Sequence, residues 1–215
     1  MFINKIGNEH LFIGKNCQDY GFINSNIKCV TDGCSEGLHS EVGAKLFCHL
    51  FNKIQNPTLI DINLIFSNIV NLIGKEFINL KNYMSFTLLY VIETKDSFIV
   101  NACGDGYIIK VNINNEIEYY KIDNGDYPKY YIYNYIDKKH LYKYKDGVSF
   151  DTFIYNKSEY KNIGISSDGL RYAFNEDNYL INNLSNLIIQ NKQNNIKRLI
   201  NKNQKQFKDD ITIVI

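Results

Sequence analysis

No apolar run in the 215-residue chain approaches the roughly 20 residues that cross a bilayer, which argues against a membrane-spanning helix. The opening Met1-Phe2-Ile3-Asn4-Lys5 lacks the basic region followed by an apolar stretch that marks a secretory leader. Cysteines are five, Cys17, Cys29, Cys34, Cys48 and Cys103. Their odd number, the absence of Cys-x-x-Cys spacing and a chain large enough not to need staples agree with a cytoplasmic setting. Charge of either sign is not in excess: 24 Lys and Arg face 23 Asp and Glu, a formal net charge of +1. No strong field therefore points to nucleic acid or an anionic membrane. A cytoplasmic protein is expected. What is present is ordinary for a soluble globular chain, with 45% hydrophobic and 22% charged residues, enough for the core of one domain over 1–215. Richness in Asn, Ile, Lys and Tyr reads as the codon usage of an AT-rich genome.

Short apolar runs at Leu11–Ile13, Gly21–Ile23 and Ile27–Val30 predict strands, the last ending at Asp32-Gly33. Ser40 reads as a helix N-cap before Val42, Leu46, Phe47, Leu50 and Ile54, and Pro57 breaks that helix. A second helix from Thr58 carries Ile62, Ile65, Phe66, Ile69, Ile73 and Phe77 on one face, with Gly74 weakening its end. Strands follow at Ser85–Ile92, Ser97–Cys103, Tyr107–Ile113 and Ile117–Ile122. The intervening Lys95-Asp96, Asp105-Gly106 and Asn114-Asn115 have hairpin chemistry. Residues 123–160, dense in Tyr, Lys and Asp, read as irregular strand and loop. Ile163–Ile165, helices at Tyr179–Ile189 and Ile196–Ile200, and a strand at Ile211–Ile215 complete the chain. Runs of strands and helices, rather than strict alternation, predict an α+β domain of layered antiparallel sheets flanked by helices.

Three apolar runs stop at Asp-Gly: at Asp32-Gly33, Asp105-Gly106 and Asp168-Gly169. Asp19 and Asp209 also adjoin predicted strands. A strand end holds a carboxylate rigidly, and the glycine permits a sharp turn. Asp-Gly is equally the commonest hairpin turn pair, so each alone reads as well as a turn, and Asp123 and Asp146 look like turns. If the five converged, their mutual repulsion would call for cations, and all-oxygen ligands suit Mg²⁺ or Mn²⁺ better than zinc. Spacing does not show that they converge.

The chain resembles the type 2C, metal-dependent protein phosphatases, and a compact bacterial branch in particular. The resemblance runs through Gly7-Asn8-Glu9-His10-Leu11, Gly14-Lys15-Asn16-Cys17-Gln18-Asp19, and Val30-Thr31-Asp32-Gly33 with its following helix. It continues through Ser85-Phe86-Thr87, Cys103-Gly104-Asp105-Gly106, Ser166-Ser167-Asp168-Gly169-Leu170 and Asp209-Asp210-Ile211-Thr212, in the family's order. It implies a four-layer α-β-β-α sandwich with two Mn²⁺ or Mg²⁺ ions at one end. By motif position Asp32 would bridge the ions and the Gly33 carbonyl would bind one. Asp168 and Asp209 would complete the second, with Asp19 bound to it directly or through water, and Asp105 would serve a third, weaker metal. Asp32, Asp168 and Asp209 would then act in catalysis through a water or hydroxide between the cations. The implied activity is hydrolysis of phosphoserine and phosphothreonine in a phosphorylated protein, opposing a serine/threonine kinase, by a monomer. Residues 123–160 would form a variable flap.

Two departures stand out. Relatives with an arginine before the first acidic pair hold the substrate phosphate with it; here Gly14 or Lys15 occupies that place. Lys15 could supply charge but not a bidentate fork. Where many relatives carry a histidine after the first Asp-Gly, Cys34 stands, with His39 nearby. His10, read as lying on a strand, suits packing or hydrogen bonding. Cys17 and Cys34 read as inert thiols, and the tyrosines of the flap as fillers of strand faces. The missing arginine leaves a second reading, a phosphatase fold kept as a regulatory or binding module, against which the full set of aspartates stands.

Overall fold

The computed structural model describes residues 1–125, 127–175 and 177–215. Its strands are β1 (Phe2–Lys5), β2 (Tyr20–Ile23), β3 (Ile27–Gly33), β4 (Phe86–Glu93), β5 (Ser97–Cys103), β6 (Gly106–Asn112), β7 (Ile117–Ile122), β8 (Asp151–Asn156), β9 (Tyr160–Ser166) and β10 (Ile211–Val214). The helices are α1 (Asn8–Ile13), α2 (Ser40–Phe51), α3 (Leu59–Ile73), α4 (Phe77–Met84), α5 (Tyr179–Ile189) and α6 (Gln193–Lys202). One antiparallel sheet has the order β1-β10-β9-β6-β7 and the other β2-β3-β4-β5-β8.

Period-two alternation explains the layering. On β4, Phe86, Leu88 and Tyr90 face the helices α2, α3 and α4, while Leu89 and Val91 face the other sheet. On β6, Tyr107, Ile109 and Val111 pack towards α5 and α6, and Ile108 turns inward. Both faces of each sheet are thus buried, which is why these strands read as continuous apolar runs. Three cores result, one under each helical layer and one between the sheets: the predicted four-layer α-β-β-α sandwich.

Several local expectations are corrected. Leu11–Ile13 is not a strand but the end of α1, with Leu11, Phe12 and Ile13 exposed. A six-residue helix is too short to display a 3.6-residue period. Gly14, at φ 70°, closes it in the left-handed conformation that glycine tolerates. The strand at this end is β1, paired with β10. Ser40 is the first helical residue of α2 rather than its cap, and its hydroxyl donates to the Cys34 carbonyl. The second helix ends at Ile73, so Phe77 opens the separate α4. Thr58 does cap α3, in a reciprocal capping box with Asp61. Asp105-Gly106 closes no hairpin, since it carries the chain from β5 in one sheet to β6 in the other. The flap tyrosines sit largely in loops and a 3-10 turn over Tyr131–Tyr135, with Tyr130 and Tyr131 buried against the α2–α4 core. Asp123 behaves as a turn residue, accepting from the Gly125 amide.

Candidate active site

Strand register brings the aspartates to one end of the sandwich. The C-terminal end of β3 lies beside the N-terminal ends of β2 and β4 through Thr31–Tyr20 and Gly33–Phe86 pairing. Cys103, ending β5, pairs with Leu88. In the facing sheet Ser166, ending β9, pairs with Tyr107 at the start of β6 and Ile213 of β10. Asp19 precedes β2, Asp32 ends β3, Asp105 links β5 to β6, Asp168 follows β9 and Asp209 precedes β10. All five therefore emerge at the same edge.

Asp19 is buried and the other four are half-buried, so the group keeps an opening to solvent. Asp32 sits at its centre, within hydrogen-bonding distance of both Asp19 and Asp168. Burial, then repulsion from Asp19, Asp168, Asp209 and Asp105, pushes the Asp32 carboxyl well above its usual range. Burial and the charge of Asp210 do the same to Asp19, against a 2.5 Å hydrogen bond from the Ser167 hydroxyl. Asp168 is pushed up to about 6, chiefly by burial, although Arg171 opposes the shift. Asp105 is also raised by burial. Carboxyls in contact cannot all be ionised unless a proton or a cation lies between them. Among the described residues no basic side chain forms an ion pair with Asp19, Asp32 or Asp105. An all-carboxylate donor set short of positive charge fits Mg²⁺ or Mn²⁺.

The tightest cluster of ligand-type atoms among the described residues is a different one: His10, Asp209 and Asp210, within 4.8 Å of one another. Its chemistry is structural. Asp210 accepts the Gly7 amide at 2.7 Å and the Gln18 amide at 2.6 Å, one on each oxygen. Asp210 thereby ties the start of α1 and the approach to Asp19 to the start of β10. His10 Nδ1 lies 3.0 Å from Asp210 without hydrogen-bond alignment. Gly169 leans on the same residue, where a Cβ would fall 1.8 Å from the Asp210 carbonyl oxygen. Gln18, also buried, donates to the Cys34 and Gly37 carbonyls and to Ser40, shaping the loop after Gly33. Sequence reasoning gave Asp210 and Gln18 no such role, because neither partner is near in the chain.

Lys15 holds its ammonium 2.6 Å from the carbonyl of Ser35, two residues after Gly33. His39 stacks on Tyr83, ring centroids 5.2 Å apart, in keeping with a structural role. The Cys17 thiol is raised far above its ordinary value by burial and the charges of Asp210 and Asp19, which makes it inert. The cation that does reach the acidic group is one the motifs did not single out. Arg171, one 3-10 turn after Asp168, pairs with that carboxylate and lies 3.4 Å from Asp209.

Known proteins share this fold. Solved structures similar to the chain include a bacterial serine phosphatase, with a TM-score of 0.65 and 16% identity over 99% of this chain and 94% of that one. The serine/threonine phosphatase Stp1 from Staphylococcus aureus gives 0.65 and 16%, covering 99% and 92%. The catalytic domain of serine/threonine protein phosphatase PstP in complex with two manganese ions gives 0.62 and 16%, covering 99% and 94%. At such identities these structures share the fold. No curated protein sequence matches the chain. The protein phosphatase 2C family matches residues 6–202, a span that contains Asp19, Asp32, Asp105 and Asp168 and stops short of Asp209. With that match over most of its length, the chain belongs to the protein phosphatase 2C family.

Proposed function

We propose that the chain is a metal-dependent serine/threonine protein phosphatase acting as one domain, with Asp19, Asp32, Asp168, Asp209 and the Gly33 carbonyl holding two Mn²⁺ or Mg²⁺ ions and Asp105 serving a third. The observation that carries the reading is the crowding of Asp32 among four other carboxylates, with no basic ion-pair partner among the described residues. Divalent cations held there would activate water, grip phosphate oxygens and offset charge in an in-line displacement. The remaining work falls to the chain. The Ser167 hydroxyl, accepting the Thr212 amide at 2.9 Å while donating to Asp19, fixes that carboxylate's orientation. Lys15 adds positive charge on the phosphate's approach.

The segment 123–160 would act as the flap, since Tyr130 reaches Cys34 beside Asp32. A phosphorylated protein is the substrate class, and the activity would oppose a serine/threonine kinase. No described helix is long and apolar enough to cross a membrane. Hydrolysis of a phosphothreonine peptide and of p-nitrophenyl phosphate, with Mn²⁺, Mg²⁺ or chelator, tests the reading. Activity that requires the cation and disappears in Asp32→Ala is expected. A folded wild type that binds Mn²⁺ but turns over neither compound would contradict it and leave a binding module.

A further inference from the structure

The place before Asp19 holds no guanidinium, and Arg198 is exposed on α6. Arg171 is the one guanidinium at the acidic edge. Its Nη1 pairs with Asp168, and its Nη2 lies 3.0 Å from the Tyr172 hydroxyl and 3.4 Å from Asp209. Its central carbon sits 4.8 Å over the Tyr172 ring, which restricts the side chain and lowers the entropy lost when it binds. The side chain is 45% exposed, so solvent reaches it at this edge.

We propose that Arg171 is the phosphate-binding residue of this site, holding Asp168 and Asp209 in the metal-free chain and turning to the substrate phosphate when cations occupy the carboxylates. The proposal rests on the phosphatase reading. Its physical basis is competition among charges. A guanidinium binds a carboxylate through paired N–H donors, and a phosphate offers the same pairs of oxygens with more charge. Cations that neutralise Asp168 and Asp209 weaken their hold on the fork without weakening the fork's attraction for phosphate. Lys15 presents a single ammonium, already engaged by the Ser35 carbonyl, so its share is smaller.

The test is calorimetric titration of inorganic phosphate into the Mn²⁺-loaded wild type, Arg171→Ala, Arg171→Lys and Lys15→Ala, with Mn²⁺ affinity measured separately for each. Arg171→Ala should bind phosphate about 10- to 100-fold more weakly, as expected for loss of a charge-assisted fork. Its Mn²⁺ affinity should be unchanged or higher, because a competing cation has gone. Arg171→Lys should recover part of the loss, and Lys15→Ala should lose less than Arg171→Ala. Phosphate affinity in Arg171→Ala within about 3-fold of wild type would overturn the proposal and leave Arg171 a counter-ion only. Parallel loss of Mn²⁺ affinity would also overturn it, making Arg171 a positioning residue for the ligands. A wild type that binds phosphate through Arg171 yet hydrolyses no phosphomonoester would sink the phosphatase reading while supporting this assignment.

Discussion

The inner face of β3 carries Lys28, Val30 and Asp32 in succession, and its two ends treat charge in opposite ways. Lys28, at one end, is buried; its ammonium donates to the Asn162 side chain and, at 2.7 Å, to the Ile163 carbonyl. Burial lowers its pKa to about 8, and nearby Glu93 only partly offsets this. Val30 lies in the apolar core between the sheets. Asp32, at the other end, meets four carboxylates instead of a partner. One end of the sandwich is closed by acceptors from its own backbone and side chains. The other gathers carboxyls of which, among the described residues, only Asp168 and Asp209 meet a guanidinium, an arrangement that the proposed cations would compensate.

The comparison can be broken most decisively at Asp32. Asp32→Asn should lower turnover by well over the roughly 100-fold seen when an outer partner of a metal ligand is lost. In chelator the same variant should be more thermostable than wild type, because repulsion at the centre of the cluster has been removed. Wild-type-like turnover, or a metal-free variant less stable than wild type, would contradict the contrast between the two ends.

Asp210 sharpens it, since it is a buried acid one residue from a proposed ligand but fully used by the fold. Asp210→Ala leaves the Gly7 and Gln18 amides without their acceptor and should cost about 2–5 kcal/mol in chelator, as read from urea unfolding. Two acids at the same end would then give stability changes of opposite sign.

Lys28 supplies the third test, through pH. Between about pH 8 and 10.5 the folded chain has lost this proton while the unfolded chain keeps it. Unfolding therefore takes up a proton, and stability rises with pH across that window by up to about 3 kcal/mol. Lys28→Met should flatten the rise. A slope unchanged by the substitution would assign it to another group.

Layered antiparallel sheets flanked by helices were legible in the sequence, because long apolar strands and the 3.6-residue pattern of α3 and α5 are local properties; the four-layer plan came from the family resemblance. The sequence named the five aspartates through motif order. What it concealed was set by partners distant in the chain. The short α1 imitated a strand, Asp105-Gly106 imitated a hairpin although its flanking strands belong to different sheets, and Asp210 and Arg171 acquire their roles only where β9 and β10 meet.

The most direct test of the central claim is calorimetric titration of Mn²⁺ into the metal-free protein, repeated in two buffers of different ionisation enthalpy at pH 6. Saturable binding with release of protons is predicted, since carboxyls held above their usual range must deprotonate to become ligands. Absence of binding, or binding that Asp32→Asn leaves intact, would show that this end of the sandwich is not a metal centre.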